Sequence, residues 1–239
     1  MLILGIDTST SAIGVGLSDG GERTASAHRL DARGHTEHLA PLVAALLAEQ
    51  GVTPRDLTGI VVGNGPGPFT GLRVGIVTGL TMGHALGIPV HGICSLDVLA
   101  EQAVAGAIGE RSGDGSRVVS RDGSWGGVGR DLLVATDARR KEVYWARYRV
   151  GATAERVEGP AVDRPAELPE DLRSLPTVGR GPLLFPHLFL RPVGPLDVDA
   201  GVLARLGAGG VRAGRDLPVE PLYLRRPDAL TTAERGAVG

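Results

Sequence analysis

Asp7 and Thr8 stand together at the end of an apolar run, with Ser9 next. An aspartate closing a first strand before a tight turn can help hold metal and phosphate, while the turn's N–H groups donate. The plainer role is that Asp7 and Thr8 tie up the backbone of the turn itself. A second stretch with chemical capacity is 64–68, NGPGP, a Gly/Pro turn ahead of a helix. Helix N-termini receive anions. Here no Gly-Lys-Ser/Thr follows, so the turn is not a P-loop, and a stiff strand-to-helix connection is the alternative. His35 and His38 lie three residues apart at a helix start. They lack companions at metal-ligand spacing and read as exposed polar residues of a first helical turn. Cys94 sits inside an apolar run and reads as a buried structural cysteine. No nucleophile-elbow pattern accompanies the serines. The glycine-rich 207–210 follows a helix instead of opening one, so it offers no second phosphate loop. These residues compose no catalytic constellation.

The elements that must position these groups follow from hydrophobic period. Residues 2–6, 13–17 and 24–30 read as three strands joined by tight turns, an antiparallel meander. Residues 36–50 form a helix, with Leu39, Leu42, Val43, Leu46 and Leu47 on one stripe and Pro41 near its start. Residues 59–63 are a buried strand. A helix then opens at Thr70, whose hydroxyl is placed to cap it. In that helix Gly71, Gly75, Gly79 and Gly83 recur every four residues, opposite Leu72, Ile76, Leu80 and Leu86. Each glycine weakens a helix by about 1 kcal/mol relative to alanine, so packing on both sides must sustain it. The bare stripe reads either as close packing on its own sheet or as a docking groove for another protein's helix, and the groove is the preferred expectation. Residues 90–94 make another strand, and Ser95 caps a helix over 96–107. The order β-β-β-α-β-α-β-α matches, by analogy, the ribonuclease-H-like pattern of actin-type domains.

After residue 105 the pattern changes. Residues 106–130 are rich in Gly, Ser, Arg and Asp, include Trp125, and read as a flexible insertion or linker. Strands resume over 132–137, 142–150 and 155–162, the first two joined through the basic turn Arg139-Arg140-Lys141. Short helices are expected over 165–175 and 199–206, a short strand over 177–179, and a short strand or extended segment over 219–224. The expected organisation is an N-terminal lobe (1–105), the insertion (106–130), a smaller C-terminal lobe (131–218) and a tail (219–239) that packs back and then frays.

Composition narrows the function. Net charge is −2 and aromatics are 3% of 239 residues, so neither a global basic field nor a stacking platform calls for nucleic acid. A single cysteine excludes an internal disulfide. No apolar run reaches the roughly 18–20 residues of a membrane span, and the N-terminus lacks a signal peptide's basic flank. A soluble, cytoplasmic protein is expected.

Six blocks then stand out in order: GIDTSTSAIGVGL at 5–17, HTEHLAPLV at 35–43, GNGPGPFTGLRVGI at 63–76, LGIPVHGICSLDVLA at 86–100, TDARRKEVYWARY at 136–148 and EPLYLR at 220–225. Together they resemble the TsaB (YeaZ) family. The resemblance is loose over 150–219, and Pro68 stands where the family usually has serine. It implies a two-lobed actin-like fold and an inactive paralogue of the tRNA threonylcarbamoyl transferase TsaD, needed with TsaD and the ATPase TsaE to modify the adenosine beside the anticodon. TsaD's metal-binding histidines correspond to Ser95 and Leu99, which are unsuited to hold metal. The resemblance therefore implies no catalytic residue, no metal and no cofactor.

Partner contact is expected from the two N-lobe helices, at Leu39, Val43, Leu46, Gly71, Arg73, Gly75, Gly79 and Gly83. A TsaD-type protein would dock there, a TsaE-type ATPase would join the larger complex, and the chain alone would form homodimers. tRNA would be met only through the complex. Asp7 and Thr8 are the positions for a weak nucleotide site. Two alternatives remain: a metallopeptidase-like hydrolase and a stand-alone actin-like ATPase.

Overall fold

The computed structural model describes residues 1–21, 23–31, 34–108 and 131–225. The first half builds β1 (Ile3–Asp7), β2 (Ala12–Ser18), β3 (Thr24–Leu30), α1 (His35–Glu49), β4 (Gly59–Gly63), α2 (Phe69–Leu86), β5 (Val90–Ile93) and α3 (Ser95–Ile108). Its sheet runs β3-β2-β1-β4-β5. The first three strands pair antiparallel, then β4 joins β1 and β5 joins β4 in parallel. A tight turn suits the antiparallel pairs, whereas a parallel strand needs a helical crossover, which α1 and α2 supply.

The second half builds β6 (Asp131–Asp137), β7 (Val143–Val150), β8 (Ala154–Asp163), α4 (Glu170–Arg173), β9 (Pro176–Val178), α5 (Gly181–Leu184), β10 (Arg191–Pro192) and α6 (Ala200–Arg212). Its sheet runs β10-β9-β6-β7-β8. The fold is thus two-lobed, actin-like α/β, with two mixed sheets flanked by helices. The helix expected over 165–175 is broken: a 3-10 turn at Pro165–Glu167 and the single turn α4 flank Leu168 and Pro169, because proline constrains the residue before it. Of the expected insertion, residues 109–130, with Trp125, lie outside the described residues, as do 226–239 of the tail.

The helices do not respect the expected lobe boundaries. Helix α6, placed by chain order in the second lobe, packs on β1, β2 and β3. Gly5 and Gly16 let it do so, since a Cβ on either would strike the backbone at Ala200 or Gly201. Conversely α3 packs on α6 and on the second sheet. One core unites them: Ile3, Val61, Leu99, Val134, Tyr148 and Leu203 are all buried in it. On the other face of the first sheet, α1 and α2 cover Leu4, Ile6, Val15, Ile60 and Val62. Helix α6 runs longer than expected, through Gly207 and Gly210. Gly207 seats it against Val61, and Asp199 caps it by accepting from Gly201 N (2.7 Å) and Val202 N (3.3 Å).

Candidate functional site: strand ends and the outer helix face

Asp7 ends β1 and is 1% exposed. Its Oδ2 accepts from Ser95 Oγ (2.6 Å), and its Oδ1 accepts from Ser9 N (3.0 Å) and Ser9 Oγ (2.8 Å). Burial pushes its carboxyl above the usual carboxylate range, against the opposing pull of the Ser95 and Ser9 bonds. Gly63 lies so close that a Cβ there would meet the carboxylate. Thr8 is equally committed. Its Oγ donates to Gly71 O (2.7 Å) and accepts from Gly75 N (3.0 Å). A regular α-helix pairs those two groups with each other, and the Thr8 hydroxyl bonds both of them, tying β1 to the opening turns of α2. The expected nucleotide role of Asp7 and Thr8 is corrected: both side chains are buried and spend their hydrogen bonds inside the protein.

The Gly/Pro turn is closed as well. Gly65–Pro66 is cis. Gly65 O accepts from Ser95 N (2.7 Å), Gly67 O accepts from Tyr144 Oη (3.3 Å), and Gly67 lies on the Ser9 backbone. Gly65, Pro66 and Gly67 are buried, so the middle of the turn is closed by the chain's own backbone. Helix α2 begins at Phe69 with Pro68 at the N-cap and no side-chain cap, so Thr70 is exposed within the first turn and caps nothing.

The glycine stripe faces inward. Gly71 and Gly75 rest on Thr8, Gly79 on Val62, and Gly83 on Val90. This corrects the groove expectation: the stripe is filled by the chain's own sheet. Leu39, Val43 and Leu46 likewise point into the core beneath α1. Of the residues expected to meet a partner, only Arg73 is exposed, and its guanidinium lies 5.0 Å from the Phe69 ring centroid. The outward face of α2 is instead apolar, with Phe69 42%, Val77 53% and Leu80 45% exposed. Beside it α1 shows Ala40, Ala44 and Ala48. Leu80, expected on one stripe with Leu72 and Ile76, faces outward, while those two are buried. His35 is also corrected from surface to interior: its Nε2–H donates to Thr10 O (3.1 Å), while His38 faces Asp31 (3.2 Å).

Ser95 donates to Asp7 and Leu99 is fully buried, so neither position fits a metal. Among the described residues no group of three His, Cys, Asp or Glu is arranged to hold one. Beside Ser95, Tyr148 Oη donates to Asp97 Oδ1 (2.7 Å), and Arg156 pairs with Asp97 at 3.4 Å. Burial pushes the Cys94 thiol up to about 12, which keeps it protonated and unreactive.

The segment after α6 is an extended strap, one of the two forms expected over 219–224. Leu217 O accepts from Gly92 N (2.9 Å), and Leu222 N donates to Asn64 O (2.8 Å). Tyr223 packs on Phe69 with centroids 5.0 Å apart. Arg225 reaches the other sheet at Glu142 (3.1 Å) and Ala138 O (2.8 Å). No described helix is long and apolar enough to cross a membrane.

A family model described as TsaD, tRNA N6-adenosine threonylcarbamoyltransferase, matches residues 28–111. An uncharacterised Mycobacterium leprae protein is 42% identical over 95% of this chain, which spans 56% of that relative's length. The Escherichia coli tRNA threonylcarbamoyladenosine biosynthesis protein TsaB is 34% identical over 94% of this chain and 95% of its own. The YeaZ structure from Pseudomonas aeruginosa superposes with a TM-score of 0.70 at 27% identity, over 93% of this chain and 99% of that one. With matching sequence along nearly the whole length and the same two-lobed fold, the chain belongs to the TsaB (YeaZ) family of tRNA threonylcarbamoyladenosine biosynthesis proteins.

Proposed function

We propose that this chain is a non-catalytic subunit of the tRNA threonylcarbamoyl transferase machinery, docking a TsaD-type transferase through the outer faces of α1 and α2. The observation that carries the reading is the row of exposed apolar side chains on α2, Phe69, Val77 and Leu80, beside the small residues of α1. Apolar residues held in water at helical spacing mark a helix-packing interface. Ser95 and Leu99, bound to Asp7 and buried in the core, support a non-catalytic role. A TsaE-type ATPase joins the larger complex, tRNA is met through that complex, and the free chain pairs with itself through the same face.

The test is co-purification with the transferase. Val77→Asp combined with Leu80→Asp leaves the inner core untouched, so the variant folds and loses the complex. Retained complex with that variant would overturn the docking face. Substitutions at Gly75 or Gly79 are unsuitable, because those positions support the fold itself.

A further inference from the structure

A cavity of about 320 Å³ opens where the carboxyl ends of β4 and β5 meet the first turns of α3, the start of β8 and the strap after α6. Ligands of open α/β sheets bind in the crevice at the carboxyl ends of parallel strands. The volume equals about ten waters at roughly 30 Å³ each, enough for a small metabolite. The cavity meets the Gly/Pro turn only at its first residue, Asn64, does not include Asp7 or the outer face of α2, and is independent of the docking reading.

We propose that this cavity binds a free amino acid as its zwitterion. Three features of its lining point there. First, Asn64 is largely buried, and its Oδ1 has no hydrogen-bond partner, while its Nδ2 reaches only Pro218 O at 3.5 Å. A buried acceptor without a donor is costly, and it can take only an N–H or O–H. Second, the ionised side chains do not cancel. Asp97, Glu101 and Asp216 give three negative charges, Arg156 and Arg215 two positive, so the difference is −1. A lone anion gains nothing from such a lining, whereas an ammonium group does. Third, Asp97 and Arg156 pair with each other, and Glu101 Oε1 accepts from Ala154 N (2.9 Å). Asp216 and Arg215 are adjacent on the strap, and neither side chain has a hydrogen-bond or ion-pair partner among the described residues. A neighbouring free carboxylate and free guanidinium complement an ammonium and a carboxylate held a few bonds apart, the layout of an amino acid. Asn64 Oδ1 takes a further N–H of the ammonium.

The experiment uses the full chain, calorimetry and thermal melting. The probes are each of the twenty proteinogenic amino acids, with putrescine as a diamine and inorganic phosphate as an anion. At least one amino acid is expected to saturate the protein below about 10 mM and to raise the melting midpoint by about 3–6 °C at tenfold excess over Kd. Arg215→Met and Asp216→Asn, both at exposed strap positions, are each expected to weaken that binding by about tenfold or more. The proposal is overturned if no amino acid saturates, if putrescine or phosphate binds where amino acids fail, or if both variants bind as the wild type does.

Discussion

Replacing Thr8 by valine keeps the side chain's shape and removes one hydroxyl. In the native protein that hydroxyl donates to Gly71 O at 2.7 Å and accepts from Gly75 N at 3.0 Å, fully inside the fold. The substitution removes both hydrogen bonds between β1 and α2, each worth about 0.5–1.5 kcal/mol net. A net loss of about 2 kcal/mol follows, and for a chain of this size that is a fall of about 4–8 °C in melting midpoint. Thr8→Ser retains both hydrogen bonds and loses one methyl, so its cost stays near about 1 kcal/mol. Chemical denaturation of the three proteins, fitted with a common slope, reads the difference. If Thr8→Val lies within about 0.5 kcal/mol of the wild type, the hydroxyl does not hold α2 on β1 and the reasoning is wrong.

Other outcomes follow from the same contacts. Gly79→Ala and Gly83→Ala force a methyl against Val62 and Val90 and should each cost about 1–3 kcal/mol by overpacking, measured by urea midpoint. Gly87→Ala meets no neighbour but sits at φ +66, so its cost should be near about 1 kcal/mol of backbone strain. Ser95→Ala removes the donor to Asp7 Oδ2 and should destabilise by about 1.5–3 kcal/mol, with no rescue by Ser95→Val. The Asp7 carboxyl is raised above its unfolded value of 3.8, so the folded state holds its proton more tightly than the unfolded chain does. Its contribution is therefore full below that value and declines as pH rises through the raised one. Asp7→Asn should flatten that part of the stability–pH curve, and an unchanged curve would contradict the assignment.

Strands and crossovers were legible because their signal is local. The run GIVVG at β4 and the seven residues of β3 have the bounds that their composition predicts. The Asp199 helix start follows from the same short-range chemistry, whereas Ser95, expected as a cap, opens α3 as its first residue and donates its hydroxyl to Asp7, and Cys94 O takes the first-turn N–H groups. What covers a face was not legible. A bare glycine stripe suits a strand of the same chain as well as a foreign helix, and only the register of α2 over Thr8, Val62 and Val90 decides. The exchange of α3 and α6 between the sheets is hidden for the same reason, since an amphipathic helix does not name the sheet beneath it. Asp7 and Thr8 looked chemical because carboxylate and hydroxyl are reactive types. Their partners, Ser95, Gly71 and Gly75, lie more than 60 residues away along the chain, beyond any local pattern. Leu39, Val43 and Leu46 illustrate the complementary case: the strongest apolar stripe of a helix marks its core side, and the weaker stripe at Phe69, Val77 and Leu80 is the one left exposed.

The central claim, that this chain supports threonylcarbamoylation of tRNA by docking a transferase through α1 and α2, is tested most directly in the cell. The chromosomal copy is deleted under rescue, and threonylcarbamoyladenosine in total tRNA is measured by mass spectrometry. The modification should fall on depletion, return with the wild-type chain, and stay low with Val77→Asp plus Leu80→Asp. Normal levels of the modified nucleoside after depletion would contradict the account.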